Sequence, residues 1–160
     1  MKPIIAPRLR GLDRHEVDEV LARNHVGRIA YARGSHIDIE PIHYVYAKGW
    51  LYGRTSPGRP LDITGAGWWP VAFEVDEVED LFHWRSVVVH GGFYTLDPRG
   101  SAWEREEAAT AMELISKWVP QSSTDGVGVT EGVVVFRIAV QEVSGRAAEP
   151  AGEVEEIGAA

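Results

Sequence analysis

The stretch "VGRIAYARGSHIDIEPIHYVYAKGWLYGR", residues 26–54, decides the fold. Its first segment, residues 26–33, alternates apolar and polar residues, as a strand with one face in the core does. "ARGS" at 32–35 and "AKGW" at 47–50 each contain a glycine and have the composition of tight turns. The stretch therefore predicts three consecutive antiparallel strands that end near Arg54.

Two helices and three further strands are predicted around this stretch. Asp13 and Glu16 form a capping box at the start of a helix that should end near Asn24. Ser101 and Glu104 form a second capping box, which opens a helix rich in Ala, Glu and Met. Alternating or continuous apolar runs predict the further strands at 70–78, 84–97 and 133–146.

About six mostly antiparallel strands with two principal helices make an α+β protein, and we expect its sheet to close into a barrel. The sequence has no GxGxxG motif after a strand and no phosphate-binding P-loop, so a nucleotide-binding α/β fold is not expected. The predicted domain covers residues 1–146. Residues 147–160 form an acidic tail for which we expect partial disorder.

Composition excludes several classes of function. The chain has 160 residues, a net charge of -8 and no cysteine, so thiolate nucleophiles and Cys-ligated metals are absent. The acidic balance argues against nucleic acid or an anionic membrane as a partner. No apolar run approaches the length of a membrane span, and we expect a cytoplasmic location.

A loop with two arginines follows the third strand of the opening stretch. Arg54, Thr55, Ser56 and Arg59 bring two guanidinium groups and two hydroxyls together, with Gly58 among them. Guanidinium forks, hydroxyl donors and accessible backbone amides are the groups that bind a terminal phosphate. The alternative interpretation is a solvated loop whose arginines pair with nearby carboxylates.

Two further sets of residues are candidates for binding a metal or a ligand, and one class of hydrolase is not supported. His36, Asp38 and Glu40 share one face of a strand, which suits either a metal site or a solvated hairpin face. His43 lies between Ile42 and Tyr44 in "PIHYVY", where alternation suggests that one face packs inward, and it is either a hydrogen-bonded structural residue or a donor to a ligand ring. No serine lies in a nucleophile-elbow motif, so a Ser–His–Asp hydrolase is not supported.

The order of these segments resembles the pyridoxamine 5'-phosphate oxidase-like, flavin-binding split β-barrels, and most closely the small nitroimidazole-resistance-type branch. The resemblance covers roughly residues 13–146. It rests on an ordered series rather than on one motif: "VGRIAYARG", "IEPIHYVYAKGWLYGRTSPGRPLDI", "PVAFEVDEV", "WRSVVVHGGFYTL" and "FRIAVQEVSGR".

The resemblance implies a homodimer of split barrels with FMN, or in some branches a deazaflavin coenzyme, in a cleft between the subunits. It places the strand of Ile42, His43 and Tyr44 beside the isoalloxazine ring, and Ser86 at the edge of the ring. The phosphate would be held by the following residues: Arg54, Thr55, Ser56 and Arg59.

The implied function is an FMN-dependent oxidoreductase that transfers electrons from a reduced nicotinamide to a small organic acceptor, such as a nitro-compound or a quinone. His43 is the candidate proton donor toward the substrate. One departure from the family pattern is Pro60, which stands where a lysine is common and supplies neither a charge nor an amide donor. Two alternatives therefore stand beside the oxidoreductase: a non-catalytic carrier of a flavin, deazaflavin or haem, and a structural dimer without a ligand.

Overall fold

The computed structural model of the chain describes residues 6–55, 68–119 and 134–151. These residues form seven strands and two helices, an α+β architecture, as the sequence predicts. In chain order the elements are β1 (Arg8–Gly11), α1 (Arg14–Arg23), β2 (Val26–Arg33), β3 (His36–Ala47), β4 (Trp50–Thr55), β5 (Trp69–Asp80), β6 (His83–Leu96), α2 (Ala102–Trp118) and β7 (Val134–Glu149). Neither helix in these ranges is long and apolar enough to cross a membrane.

The strands form one antiparallel sheet that closes on itself. The order is β1-β7-β4-β3-β2-β5-β6, and β6 pairs with β7 to complete a ring of six strands. Strand β7 closes the ring because it pairs with β6 along most of its length and with β4 through its first part, and its last residues also pair with the added strand β1. The predicted closed barrel and the three consecutive strands β2, β3 and β4 are confirmed.

Two features of the sheet differ from the sequence prediction. Strand β1 was not predicted, because its four residues are mostly exposed and show no apolar alternation. Strand β7 continues to Glu149, three residues beyond the predicted domain boundary, and Ala147 and Ala148 are buried. The first residues of the predicted tail therefore belong to the sheet.

Both helices begin at the predicted capping boxes and cover different parts of the barrel. Helix α1 buries Val17, Val20 and Leu21 in the main core, which fills the inside of the barrel. Helix α2 lies on the outside and buries Ala108 and Ile115 in a second core. The barrel residues of this second core are Val45, Tyr52, Leu96 and Val135. Helix α2 thus covers the outer side of β4 and of the adjoining parts of β3, β6 and β7.

Candidate functional site

The part of the outer barrel surface beyond α2 is open and carries both apolar and charged side chains. We call it the open face; its members are Val26, Arg28, Ala30, Ile37, Ile39, His43, Glu74, Asp76 and Ser86. Ile37 and Ile39 are 82% and 68% exposed on β3, two positions apart on the same face of the strand. An exposed apolar surface rimmed by charges is typical of a binding surface.

Strand register aligns the predicted site residues in one row across this face. Tyr44 and Gly53 are the last pair of the β3–β4 ladder, and His43 and Arg54 are the next residues beyond that pair on the two strands. His43 pairs with Val26 on its other side. We call this line, continued toward β5 and β6, the site row.

The far end of the site row is formed by β5 and β6. The β2–β5 ladder ends at the pair Arg28 and Glu74, and Val26 and Asp76 each lie two residues beyond that pair on their strands. Asp76 in turn pairs with Ser86. Neighbouring strands lie about 4.8 Å apart, so the four spacings from Arg54 to Ser86 cover about 19 Å of the curved surface.

Arg54 is positioned by the end of α2. Its Nη2 donates a hydrogen bond of 3.1 Å to the carbonyl oxygen of Val119, the C-cap residue. Carbonyl groups at a helix C-terminus carry a partial negative charge, so this contact satisfies an end carbonyl and favours the guanidinium. The structure therefore places Arg54 half-buried at the α2 end of the site row.

His43 is exposed in the predicted "PIHYVY" strand, whereas its two neighbours belong to the core. Ile42 and Tyr44 are buried inside the barrel. The hydroxyl of Tyr44 donates a 2.8 Å hydrogen bond to the carbonyl oxygen of Leu21, and burial raises the pKa of this phenol. A ligand on the open face can therefore meet the imidazole of His43, but only main-chain atoms of Ile42 and Tyr44.

Ser86 belongs to a polar network at the far end of the row. Its hydroxyl donates to a carboxylate oxygen of Glu74 at 3.1 Å. Arg28 contacts the same carboxylate at 3.4 Å and that of Asp76 at 3.3 Å. These contacts hold the Ser86 side chain on the open face, where its oxygen keeps acceptor capacity.

Only part of the predicted phosphate loop lies within the described residues. Thr55 is the half-buried last residue of β4 and directly follows Arg54. Ser56, Arg59 and Pro60 lie outside the described residues, so the interpretation of these three positions remains a prediction.

The structure does not favour the metal interpretation of the "HIDIE" segment. Within residues 6–55, 68–119 and 134–151, no three His, Asp or Glu side chains come together as a metal site. Glu40 instead accepts a 3.4 Å hydrogen bond from the hydroxyl of Tyr31. Burial, with Glu40 and Asp38 nearby, raises the pKa of Tyr31 to about 12.

An aromatic stack beside Arg54 was not found by sequence reasoning. Trp118, the last residue of α2, stacks on His25 with ring centroids 4.5 Å apart and an interplanar angle of 20°. Val119, the partner of Arg54, follows Trp118 directly, so the stack and the guanidinium share one helix end. The only sequence signal was a tryptophan at the polar end of a helix, which does not reveal its partner.

A small cavity lies at one end of β5 and β6, and most of its strand residues alternate with Asp76 and Ser86, so it lies mainly on the opposite side of the sheet from the open face. Its volume is about 280 Å³, and its lining is Arg23, Glu77, Glu79, His83, Trp84 and Arg85. Arg23 donates to both carboxylate oxygens of Glu77, and this contact lowers the pKa of that carboxyl. The cavity is therefore polar, with one indole in its wall.

The geometry defines the class as a closed antiparallel barrel with an open outer face and Arg54 at the edge of that face. The family model described as pyridoxamine 5'-phosphate oxidase matches residues 13–147. The chain belongs to this family, which confirms the resemblance seen in the sequence.

Known proteins of similar sequence and structure support this assignment. An FAD-binding protein from Mesorhizobium loti is 29% identical, with a TM-score of 0.64, covering 88% of this chain and 99% of its own. An uncharacterized protein from Rhizobium meliloti (strain 1021) is 28% identical over 88% of this chain and 95% of its own length. A candidate 5-nitroimidazole antibiotic resistance protein from Bacteroides thetaiotaomicron shares the fold, with a TM-score of 0.63, 12% identity and 89% coverage of both chains.

Proposed function

We propose that this chain binds a flavin along the site row and acts as a flavin-dependent oxidoreductase. It would take electrons from a reduced nicotinamide and pass them to a small organic acceptor. The observation that carries the proposal is the site row itself, in which Arg54, His43 and Ser86 are presented together on an open face. Membership of the pyridoxamine 5'-phosphate oxidase family, and the FAD-binding relative in Mesorhizobium loti, support a flavin as the ligand.

The donor set of the site row fits a flat anionic ligand. Arg54 supplies a fixed positive charge and a forked donor for a phosphate, with Thr55 as the adjacent hydroxyl. Val26 is exposed beside His43 and offers an apolar surface to a ring. Ser86 supplies a hydrogen-bonding group about 19 Å along the surface from Arg54, a span comparable with the length of an extended flavin mononucleotide.

The chemistry of the reaction would come from the flavin, which accepts a hydride at N5 of its ring and passes electrons to a second substrate. The residues of this chain bind and orient it. His43 is exposed at the centre of the row, so its imidazole can hold a proton toward a substrate on that face.

The open face also supports a homodimer in which a second copy completes the site. On the side toward β4, the β3 ladder begins only at Tyr44, so among the described residues no strand pairs with that edge of residues 36–43. Ile37 and Ile39 are exposed on the same segment. A second copy that covered this segment would bury the apolar side chains and enclose the site row. Sedimentation should therefore give twice the mass of 17.7 kDa; a monomer would contradict the shared site.

The binding proposal is tested by titrating wild-type protein, Arg54→Ala and Arg54→Lys with FMN and with FAD. Loss of a charge-assisted contact to a phosphate costs about 1–3 kcal/mol, so Arg54→Ala should weaken flavin binding about 5- to 150-fold. Arg54→Lys should recover part of this loss, because lysine keeps the charge without the fork. Arg14→Ala is the matched control: Arg14 is 62% exposed on α1 and pairs with Asp18.

Unchanged flavin affinity in Arg54→Ala would remove Arg54 from the site.

Turnover separates the proposed oxidoreductase from a carrier. Oxidation of a reduced nicotinamide with an artificial acceptor is expected for the enzyme, and a flavin that is bound but not reduced by the nicotinamide would favour the carrier.

A further inference from the structure

Trp118 presents an aromatic surface that the proposed FMN contacts do not use. The side chain is 60% exposed, although the residue ends a helix whose other face is packed on the barrel. One face of its indole is covered by the imidazole of His25 at 4.5 Å. The exposure therefore belongs largely to the opposite face, which is open to a flat ligand.

The indole is held in place by a series of rings that leads into the core. His25 lies with its Nδ1 3.2 Å from the carbonyl oxygen of Tyr44, and its ring centroid is 6.3 Å from that of Tyr44. Tyr44 in turn meets the buried Phe73 edge to face at 4.8 Å. A surface aromatic supported in this way is rigid, and rigid surfaces lose less entropy when they bind a ligand.

The stack lies beside the proposed phosphate ligand. Arg54 donates to the carbonyl oxygen of Val119, the residue that follows Trp118. A phosphate at Arg54 would therefore be close to an open indole face, whereas the site row leads away from Arg54 in the direction of Ser86. Because His25 directly precedes Val26 and contacts Tyr44, the stack flanks the site row near Arg54 and offers a second surface for the other half of a dinucleotide.

We propose that Trp118, supported by His25, is the stacking surface for the adenine ring of an adenine dinucleotide. The inference rests on the proposed function and deepens it. Two ligands carry such an adenine ring: FAD, bound as the cofactor, and the reduced nicotinamide dinucleotide, bound as the electron donor. The FAD-binding relative in Mesorhizobium loti favours the first.

Comparison of FAD with FMN tests the inference, because the two differ by the adenosine monophosphate half. Stacking of one base contributes about 5- to 150-fold in affinity, so Trp118→Ala should weaken FAD binding by that factor and leave FMN binding unchanged. Trp118→Phe should keep most of the FAD affinity. The matched control is Trp103→Ala on the same helix: that residue is similarly exposed, but the guanidinium of Arg137 lies 4.8 Å from its ring.

The donor is tested in the same variants. If adenine belongs to the donor, Trp118→Ala should leave both flavins bound and raise the KM for reduced nicotinamide adenine dinucleotide, but not for reduced nicotinamide mononucleotide. Wild-type protein provides a test that needs no variant: adenosine monophosphate should compete with FAD, or with the reduced dinucleotide, and not with FMN.

Equal weakening of FMN and FAD by Trp118→Ala would overturn the inference, since the indole would then serve the isoalloxazine or only the fold. Unchanged affinity for every adenine ligand, with no competition by adenosine monophosphate, would also overturn it. Wild-type protein that binds neither flavin would instead refute the proposed function, and titration of wild type and Trp118→Ala with adenosine monophosphate would then decide whether Trp118 binds adenine.

Discussion

Gly53 links the packing of the barrel to the position of Arg54. A Cβ atom at this position would lie 2.7 Å from Cε2 and 3.0 Å from Cε1 of Phe136. Carbon atoms in contact are ordinarily about 3.5–4.0 Å apart, so the ring would have to move. Phe136 is fully buried and packs on Phe93 with ring centroids 4.7 Å apart, which leaves it little room.

Gly53→Ala should therefore destabilise the protein. Overpacking of a core costs about 1–3 kcal/mol, and the entropy gained by removing a glycine returns less than about 1 kcal/mol. Flavin affinity should fall as well, because β4 cannot shift without moving Arg54, the next residue. Urea unfolding measures the first effect and flavin titration the second. Gly11→Ala is the control, since its nearest neighbour would be 3.9 Å away, and it should change stability by less than about 0.5 kcal/mol.

A double mutant identifies the cause. Phe136→Leu alone should cost about 1–2 kcal/mol, and together with Gly53→Ala it should cost clearly less than the sum of the two, because the shorter side chain leaves space for the new methyl group. Strict additivity, or a Gly53→Ala variant as stable as wild type, would refute the reasoning that Phe136 excludes a side chain at position 53.

Two further predictions concern the ends of the barrel. Tyr44→Phe removes the hydroxyl that donates to the carbonyl oxygen of Leu21 and should lower the free energy of unfolding in urea by about 1–2 kcal/mol. Flavin affinity should not change, because the side chain lies in the core. A large loss of flavin affinity would instead place Tyr44 in the site. Hydrogen bonds from Arg10 lower the pKa of Glu16 from 4.5 to about 2, so this carboxylate contributes stability that is complete above pH 4.5 and is lost as the pH falls toward 2. Arg10→Gln should have a lower free energy of unfolding at pH 7, and that free energy should fall less between pH 4.5 and 2 than it does in wild type. Urea unfolding at pH 7, 4 and 3 measures this, and the same pH dependence in both proteins would contradict the prediction.

Local sequence signals predicted much of the fold. The capping boxes at Asp13 and Ser101 fixed the starts of both helices, because each joins a side chain to the backbone only three residues away. The boundaries between β2, β3 and β4 were also predictable, because each glycine-containing turn is a signal within a few residues. Strand β1 could not be predicted, because its pairing with β7 joins residues at opposite ends of the chain. Its four residues also show no apolar alternation that would indicate a strand.

The site was predictable as a set of residues but not as an arrangement. Alternation in "PIHYVY" is local, so it indicated that one face of this strand packs inward, but it did not show which of Ile42, His43 and Tyr44 lie on that face. The alignment of His43 with Arg54 and Ser86 depends on the register of five strands, which no short segment encodes. The stack of Trp118 on His25 is likewise a contact between distant segments.

The absorption spectrum of the purified protein, recorded after incubation with excess FMN or FAD and removal of the free flavin, tests the central claim most directly. We expect a retained flavin spectrum at about one flavin per chain for wild type, and a strongly reduced one for Arg54→Ala. A wild-type protein that stays colourless with both flavins would contradict the account of the site row as a flavin site.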